Sequence, residues 1–303
     1  MNEVKVGIIG IGNMGSAHLR MITGGNIPDM TVTAVCDIDT EKLNAARNTY
    51  PALRVFEDYT DLLKNSDTNA VIIAVPHPLH AKIAIEAFEY GKHVLVEKPI
   101  DITVSAAEKL CAAARKSGKV FAVMFNQRTN GLFREARRIV NSGELGELKR
   151  SVWIITNWYR TQSYYDSGSW RATWRGEGGG VLLNQAPHNL DIWQWICGSP
   201  SAVTAFCSVG KFHNIEVEDE ATIYAEYENG ATGVFITSTG DCPGTNRLEI
   251  TGTRGKTVLE NGILKLWKLN EDERDICKNA TEGFVSPETE YSEFSAGREE
   301  AHA

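Results

Sequence analysis

The chain has 303 residues, 42 % hydrophobic and 23 % charged, which is enough for two packed cores of ordinary globular composition. Its 31 basic and 39 acidic residues leave a net charge of -8, and no cluster of Lys and Arg could follow a phosphate backbone, which argues against nucleic acid and anionic membrane as partners. No apolar run approaches the roughly 20 residues that span a bilayer, and the start MNEVKVGIIGIG lacks the basic region and cleavage site of a secretion signal, so a cytosolic protein is expected.

Taken in order, the first 125 residues alternate short apolar runs with helical stretches. VKVGIIG leads to a helix ending near Thr23, TVTAVCD to TEKLNAARNTY, NAVIIAV to LHAKIAIEAFEYG, and HVLVE to SAAEKLCAAARKSG, with VFAVMF as the last run. Strands and helices of these lengths in alternation predict a doubly wound parallel sheet. The runs are nearly continuous rather than alternating, as strands covered on both faces require.

The rhythm changes after Asn126, where one further helix, LFREARRIVNSG, precedes longer β-rich segments from LKRSVWIITNW to ILKLWKL. ENGA and TRGK between alternating runs read as hairpin turns. The expected fold is therefore α/β, with an N-terminal Rossmann doubly wound parallel sheet (1–124) and a C-terminal α+β domain with an open, mainly antiparallel sheet (125–303). A Gly- and aromatic-rich segment, 157–198, interrupts the second domain, and the stretch after Lys268 reads as a polar, acidic tail. The six cysteines, at 36, 111, 197, 207, 242 and 277, have no C-x-x-C spacing and are expected to be reduced and mostly packed, without a zinc site.

Between the first strand and helix stands Gly10-Ile11-Gly12-Asn13-Met14-Gly15, a G-x-G-x-x-G in the strand-turn-helix setting that gives the pattern meaning. The first glycine permits the turn, the second lets a pyrophosphate approach the backbone, and the third lets helix and strand pack closely. The second strand ends at Asp37, 22 residues after Gly15, about where an acid can take the two hydroxyls of an adenine ribose. Asp37 would repel a 2'-phosphate, and Ile38 and Asp39 supply no arginine, so NAD is preferred to NADP.

The third and fourth parallel strands end at AVPHPLH and VLVEKP, where ligands bind in open parallel sheets. With these two motifs and the later GGGVLLNQAPHNLDIW, the chain resembles the glucose-fructose oxidoreductase, inositol dehydrogenase and MocA family over essentially its whole length. The resemblance implies that Lys98 of E-K-P is a catalytic residue beside the nicotinamide. A lysine partly removed from water can take the proton of a hydroxyl whose carbon loses hydride. Pro99 restricts Lys98 to extended conformations and could form a cis peptide. By the same resemblance, Ala74, Pro76, His80, Glu97 and Asn126 lie by the cofactor, with Arg171 as an addition, and Arg128 near the nicotinamide and substrate. Asn126 and Arg128 could equally link the domains.

His188 inherits a substrate-facing role as proton shuttle or hydroxyl ligand. Many family members have aspartate where this chain has Asn184, and an amide can hydrogen-bond a hydroxyl but cannot take its proton. On a helix, 184, 188 and 191 would share a face, although Pro187 makes the spacing from Asn184 insecure. Asp191 is expected to orient His188 or cap a local network. Tyr159 and Arg160, amid the aromatics of 157–174, suit a carbohydrate with its C–H faces and hydroxyls.

The reading is an NAD-dependent dehydrogenase of a small-molecule sugar or cyclic polyol, with no metal, assembled as a homodimer or homotetramer through the C-terminal sheet. Two rivals stand beside it. One is an NAD-retaining glycoside hydrolase or lyase acting through transient oxidation, and the other is a non-enzymatic NAD-binding regulator. Family members commonly continue for tens of residues beyond a segment like EEAHA, so the chain is also expected to be a shortened one.

Overall fold

β1 (Val4–Ile9) lies in the middle of a six-stranded sheet of order β3-β2-β1-β4-β5-β6, every pair parallel. In this computed structural model, which describes residues 3–295, the other strands are β2 (Met30–Cys36), β3 (Arg54–Phe56), β4 (Ala70–Ile73), β5 (His93–Val96) and β6 (Phe121–Val123). The helices α1 (Asn13–Thr23), α2 (Thr40–Thr49), α3 (Tyr59–Asn65), α4 (His80–Glu89) and α5 (Val104–Ser117) cover it. Ile9, Ile73 and Val96 pack with α4 and α5, while Val6, Ile8 and Val35 pack with α1 and α2, so both faces of these strands are buried. β3 and α3 fall in a stretch without a strong pattern; α3 is only seven residues long and is started by Asp58, whose carboxylate accepts from the N–H groups of Thr60 and Asp61.

Contacts divide the chain into two units, Met1–Met124 with Arg175–Gly178, and Phe125–Trp174 with Gly179–Ala303. The second unit holds α6 (Gly131–Asn141), β7 (Leu148–Ile155), α7 (Gln162–Asp166), α8 (Pro187–Cys197), β8 (Ala202–Val209), β9 (Glu218–Glu226), β10 (Thr232–Ser238), β11 (Asn246–Gly252), β12 (Gly255–Glu260), β13 (Ile263–Leu269), α9 (Glu273–Asn279) and β14 (Thr289–Ser295). Its eight-stranded sheet has the order β14-β13-β12-β11-β7-β10-β9-β8, antiparallel throughout except for β7 and β10. One face packs on α6 and α8 around Trp153, Phe235, Trp193 and Ile250. The Trp193 ring stacks on Phe235 at 5.5 Å, and the two buried indoles satisfy their N–H groups, Trp153 on Asn246 Oδ1 at 3.1 Å and Trp193 on Ser151 Oγ at 2.9 Å. Burial of each such side chain contributes about 1.5–3 kcal/mol.

Two expectations are corrected here, and a third falls outside the described residues. The polar stretch after Lys268 is not a structureless tail, because α9 is capped by Asp272 and β14 pairs with β13 as an edge strand whose mostly exposed side chains carry little hydrophobic signal. Cys36 is buried, Cys111 and Cys197 are partly buried, and Cys207, Cys242 and Cys277 are exposed, so the thiols are not mostly packed; all six are free. The terminal EEAHA, on which the expectation of a shortened chain rests, lies outside the described residues.

Candidate functional site

At the carboxyl edge of the parallel sheet, β1 and β4 stand side by side with Ile9 opposite Ile73, which brings the phosphate loop next to the loop after β4. Gly10 has φ +87°, and a Cβ there would sit 2.6 Å from the Ala74 carbonyl oxygen, so both the turn and the close approach require glycine. A Cβ on Gly15 would strike the Gly10 carbonyl. Gly12 is different, because nothing lies within 4 Å of its Cβ position. The first glycine and the third are demanded by packing, and the second faces open space where a ligand backbone could pass.

Helix α1 begins at Gly12 with no side-chain cap, as α4 begins at Leu79 with none, whereas Asp39 caps α2 and Thr103 caps α5. The N-terminal N–H groups of α1 therefore suit an anion from outside the chain. Asn13 and Met14 are exposed on this first turn and Ile11 is buried beneath it. The Asp37 carboxylate accepts from Ile11 N at 2.8 Å and Asp39 N at 3.0 Å, so the acid at the end of β2 is held against the phosphate loop. Its side chain is 9 % exposed, with lone pairs left for hydroxyl donors. The residues present fit the diphosphate and ribose of an adenine dinucleotide.

The loop after β4 places Ala74 half-buried, Pro76 exposed and His80 wholly buried. After β5, Glu97 is 6 % exposed and accepts from His18 Nε2 on α1 at 2.7 Å, a pair 79 residues apart. Lys98 follows, half-buried, and its peptide bond to Pro99 is cis. His80 Nδ1 lies 2.7 Å from the Pro99 carbonyl oxygen and its Nε2 2.8 Å from the Val75 carbonyl oxygen, and His77 Nδ1 lies 3.1 Å from the Glu177 carbonyl.

The second unit gathers a different set. α8 starts only at Pro187, so Asn184 lies in the preceding turn and shares no helical face with His188, because the proline ring belongs at the beginning of a helix. The glycine run before it is closely packed. A Cβ on Gly180 would collide with the Glu218 backbone, and the buried Glu218 carboxylate accepts from Gly180 N at 2.9 Å and Leu182 N at 3.1 Å. Asp191 holds Arg128 through two hydrogen bonds, at 2.8 and 2.6 Å. That carboxylate pushes the Arg128 guanidinium further above its usual value. His188 itself meets Phe125 edge-on at 6.0 Å.

Asn126 is exposed on the short turn that also carries Arg128. Tyr159 is 48 % exposed, and Arg160 donates to the Trp158 and Tyr159 carbonyls while its guanidinium lies 5.0 Å over the Tyr164 ring. Arg171 sits 4.7 Å from both the Tyr164 and Trp170 rings and donates to the Tyr164 hydroxyl at 3.0 Å. These arginines are positioned by aromatic faces. Absent from the sequence expectations are His213 and the fully buried Asp219, which pair at 3.0 Å and anchor the strand approach at Arg160 through a 2.9 Å bond to its carbonyl.

A cavity of about 490 Å³ opens beside His188, within the size range of small-molecule sites. Carboxamides of Gln127, Asn130, Asn157, Asn189 and Asn246 line it together with Trp158. Among the described residues Glu260 is its one lining carboxylate, and it is paired with Arg247 at 2.9 Å. Such a wall offers donors and acceptors without net charge, and an aromatic face. Among the described residues no cluster of His, Cys, Asp or Glu could hold a metal ion, and no helix is long and apolar enough to cross a membrane.

Residues 4–125 match the oxidoreductase family model with an NAD-binding Rossmann fold, and residues 133–258 match the GFO/IDH/MocA C-terminal domain. The chain is 30 % identical over 281 residues to the 1-carboxy-3-chloro-3,4-dihydroxycyclohexa-1,5-diene dehydrogenase of Comamonas testosteroni, covering 88 % of this chain and 69 % of that protein. It is 34 % identical over 146 residues to the inositol 2-dehydrogenase of Salmonella typhimurium, a match that spans 48 % of this chain and only 43 % of the relative. Among solved structures, the WlbA dehydrogenase of Bordetella pertussis, in complex with NADH and UDP-GlcNAcA, superimposes with a TM-score of 0.83 at 26 % identity, over 91 % of this chain and 80 % of that one.

Proposed function

Because the chain belongs to the GFO/IDH/MocA family of NAD-binding oxidoreductases, we propose that it is a dehydrogenase of a sugar or cyclic polyol, and that the hydroxyl-bearing carbon exchanges hydride with nicotinamide. The observation that carries the substrate class is the carboxamide-lined cavity beside His188, which offers hydrogen bonds to many hydroxyls and no unpaired cation for a phosphate or carboxylate. Bound at the Gly12 cradle, NAD would supply the two-electron acceptor.

The proton is the work of this chain's own residues. In this reading Lys98 takes the hydroxyl proton as its carbon gives up hydride and becomes a carbonyl, and returns it when the reaction runs backward. His188 holds or relays a proton at the substrate, and Asn184 orients a hydroxyl without exchanging its proton. Glu97 with His18, and Asp191 with Arg128, hold the backbone segments that carry Lys98 and His188. Asn126, Arg128, Tyr159, Arg160 and Arg171 complete the proposed cofactor and substrate contacts.

The assembly expected through the C-terminal sheet is supported by its second face. Side chains alternating with the helix-covered set include Val152, Ile154, Val234 and Ile236 in the middle strands, and the exposed Phe206 and Tyr224 toward one edge. A second copy of the chain would cover that apolar face.

The deciding experiment is NADH formation with purified protein, NAD and a panel of hexoses, pentoses, inositols and simple glycosides. Steady NADH production with one class is the expected result. Tight NAD retention with bond cleavage and no net NADH would replace this reading by the transient-oxidation enzyme, and NAD binding without turnover of any class would leave a regulator.

A further inference from the structure

His80 is the first residue of α4, wholly buried, and belongs to the unit that carries Lys98. Its Nδ1 lies 2.7 Å from the Pro99 carbonyl oxygen and its Nε2 2.8 Å from the Val75 carbonyl oxygen. A carbonyl can only accept, and a neutral imidazole has one N–H. At these distances the neutral ring would press a lone pair against a carbonyl lone pair in a space closed to water. Only the imidazolium satisfies both contacts.

The surroundings hold compensating charge. Burial is the largest influence and sets the His80 pKa below its ordinary value, while the two carbonyls, then Glu97 after β5 and Asp101 ahead of α5, favour the cation. His77 lies beside it, ring centroids 5.8 Å apart, Lys98 precedes Pro99, and His18 reaches Glu97 from α1. The hydrogen-bond geometry decides between the opposing influences, because two acceptors in direct contact need two donors.

We propose that His80 is a positioning residue for Lys98, held as an imidazolium whose two N–H groups tie the loop after β4 to the turn that carries Lys98. It touches no ligand in this role, since both ring nitrogens are spent on backbone and no part of the ring is exposed. The Pro99 carbonyl it grips belongs to the residue next to Lys98, so the direction of the lysine depends on this grip. The inference rests on the proposed role of Lys98 for its catalytic meaning, but the state of the ring does not.

Two measurements on the full chain test it. Long-range proton–nitrogen spectra of the 15N-labelled protein, with the His80 signals identified by their loss in His80→Gln, read the ring directly. Both nitrogens are expected to stay protonated from about pH 6 to about pH 8, where an ordinary histidine titrates. One bare nitrogen in that window would overturn the cation. The second measurement compares His80→Gln with wild type, because an amide has donors on one nitrogen only and cannot span two opposed carbonyls. The expected result is kcat lowered about tenfold or more with the dissociation constant of NAD changed by less than about twofold. Weaker NAD binding at unchanged kcat would make His80 a cofactor contact, and a lower melting temperature with both constants intact would make it purely structural; either overturns the positioning role. If wild type shows no turnover at all, the dehydrogenase reading has failed, and the nitrogen spectra together with NAD binding still decide the state and place of His80.

Discussion

The unit built on β1–β6 and the unit built on β7–β14 prepare for chemistry in opposite ways. In the parallel unit the binding features are backbone at consecutive strand ends: the open position at Gly12, the uncapped start of α1, and the turn at Lys98. In the antiparallel unit they are side chains brought from far along the chain, such as Arg128 on Asp191 and the carboxamides from 127 to 246 around one cavity. A parallel sheet aims all its carboxyl ends one way, so topology alone assembles a cradle. An antiparallel sheet has no such common edge, and its site depends on which side chains pack together.

The sharpest test of that division is Lys98→Met. A loss of about 10²–10⁴ in kcat, with NAD binding retained, is expected if the strand-end lysine supplies the proton chemistry. Steady-state and single-turnover rates on the substrate found in the panel would measure it, and unchanged kcat would remove Lys98 from the mechanism.

Two glycines then separate a binding role from a packing role. Gly180→Ala, against the Glu218 backbone, should cost about 1–3 kcal/mol or more in denaturant unfolding, whereas Gly12→Ala enters open space and should leave stability within about 0.5–1 kcal/mol. Gly12→Ala should instead weaken NAD binding, read by calorimetry or fluorescence. If it destabilised the chain and bound NAD normally, the cradle would be misplaced.

Asp191→Asn probes the side-chain network. Removing half of a two-point pair whose arginine is largely exposed should lower stability by about 1 kcal/mol. A larger effect on KM for substrate than on NAD affinity would assign the pair to the substrate side. Equal changes in both would end the proposed division of labour.

The smallest effect compares one buried thiol in each unit. Burial pushes Cys36 and Cys197 up from 9.0 to about 12. The folded state therefore keeps a proton that the unfolded chain releases, and stability should fall as pH rises through the interval from 9.0 toward about 12. At about pH 10 the loss should be roughly 1 kcal/mol for each thiol. Cys36→Ala and Cys197→Ala should each flatten the alkaline side of the stability curve, and an unchanged slope in either would mean that this thiol does not control it.

Much of the parallel unit was legible in the residues. Apolar runs of strand length, the spacing of Gly10, Gly12 and Gly15, and Asp37 at the end of its strand are local patterns, and the structure places them as adjoining features. Local signals failed where an element was short or exposed: three-residue β3, the capped α3, and the edge strand β14. The second cluster was half legible. Pro187 marked where α8 could begin, but the residue count made Asn184 look like a neighbour of His188 on one helix. Nothing in the sequence pairs His18 with Glu97 or His213 with Asp219, because a histidine on an apolar helix face and an acid in a strand have no spacing that announces contact.

What the sequence determined by itself is what depends on covalent order: the alternation of strands and helices, the turn chemistry of the phosphate loop, the E-K-P motif and the family resemblance built on them. What only tertiary packing decided is which polar groups lose water together. Glu218 pins the glycine turn, Asp191 meets Arg128 from 63 residues away, and His80 lies between two backbone carbonyls. A buried donor or acceptor is costly until it is paired, and its partner is set by the three-dimensional neighbourhood that the whole chain must fold to create.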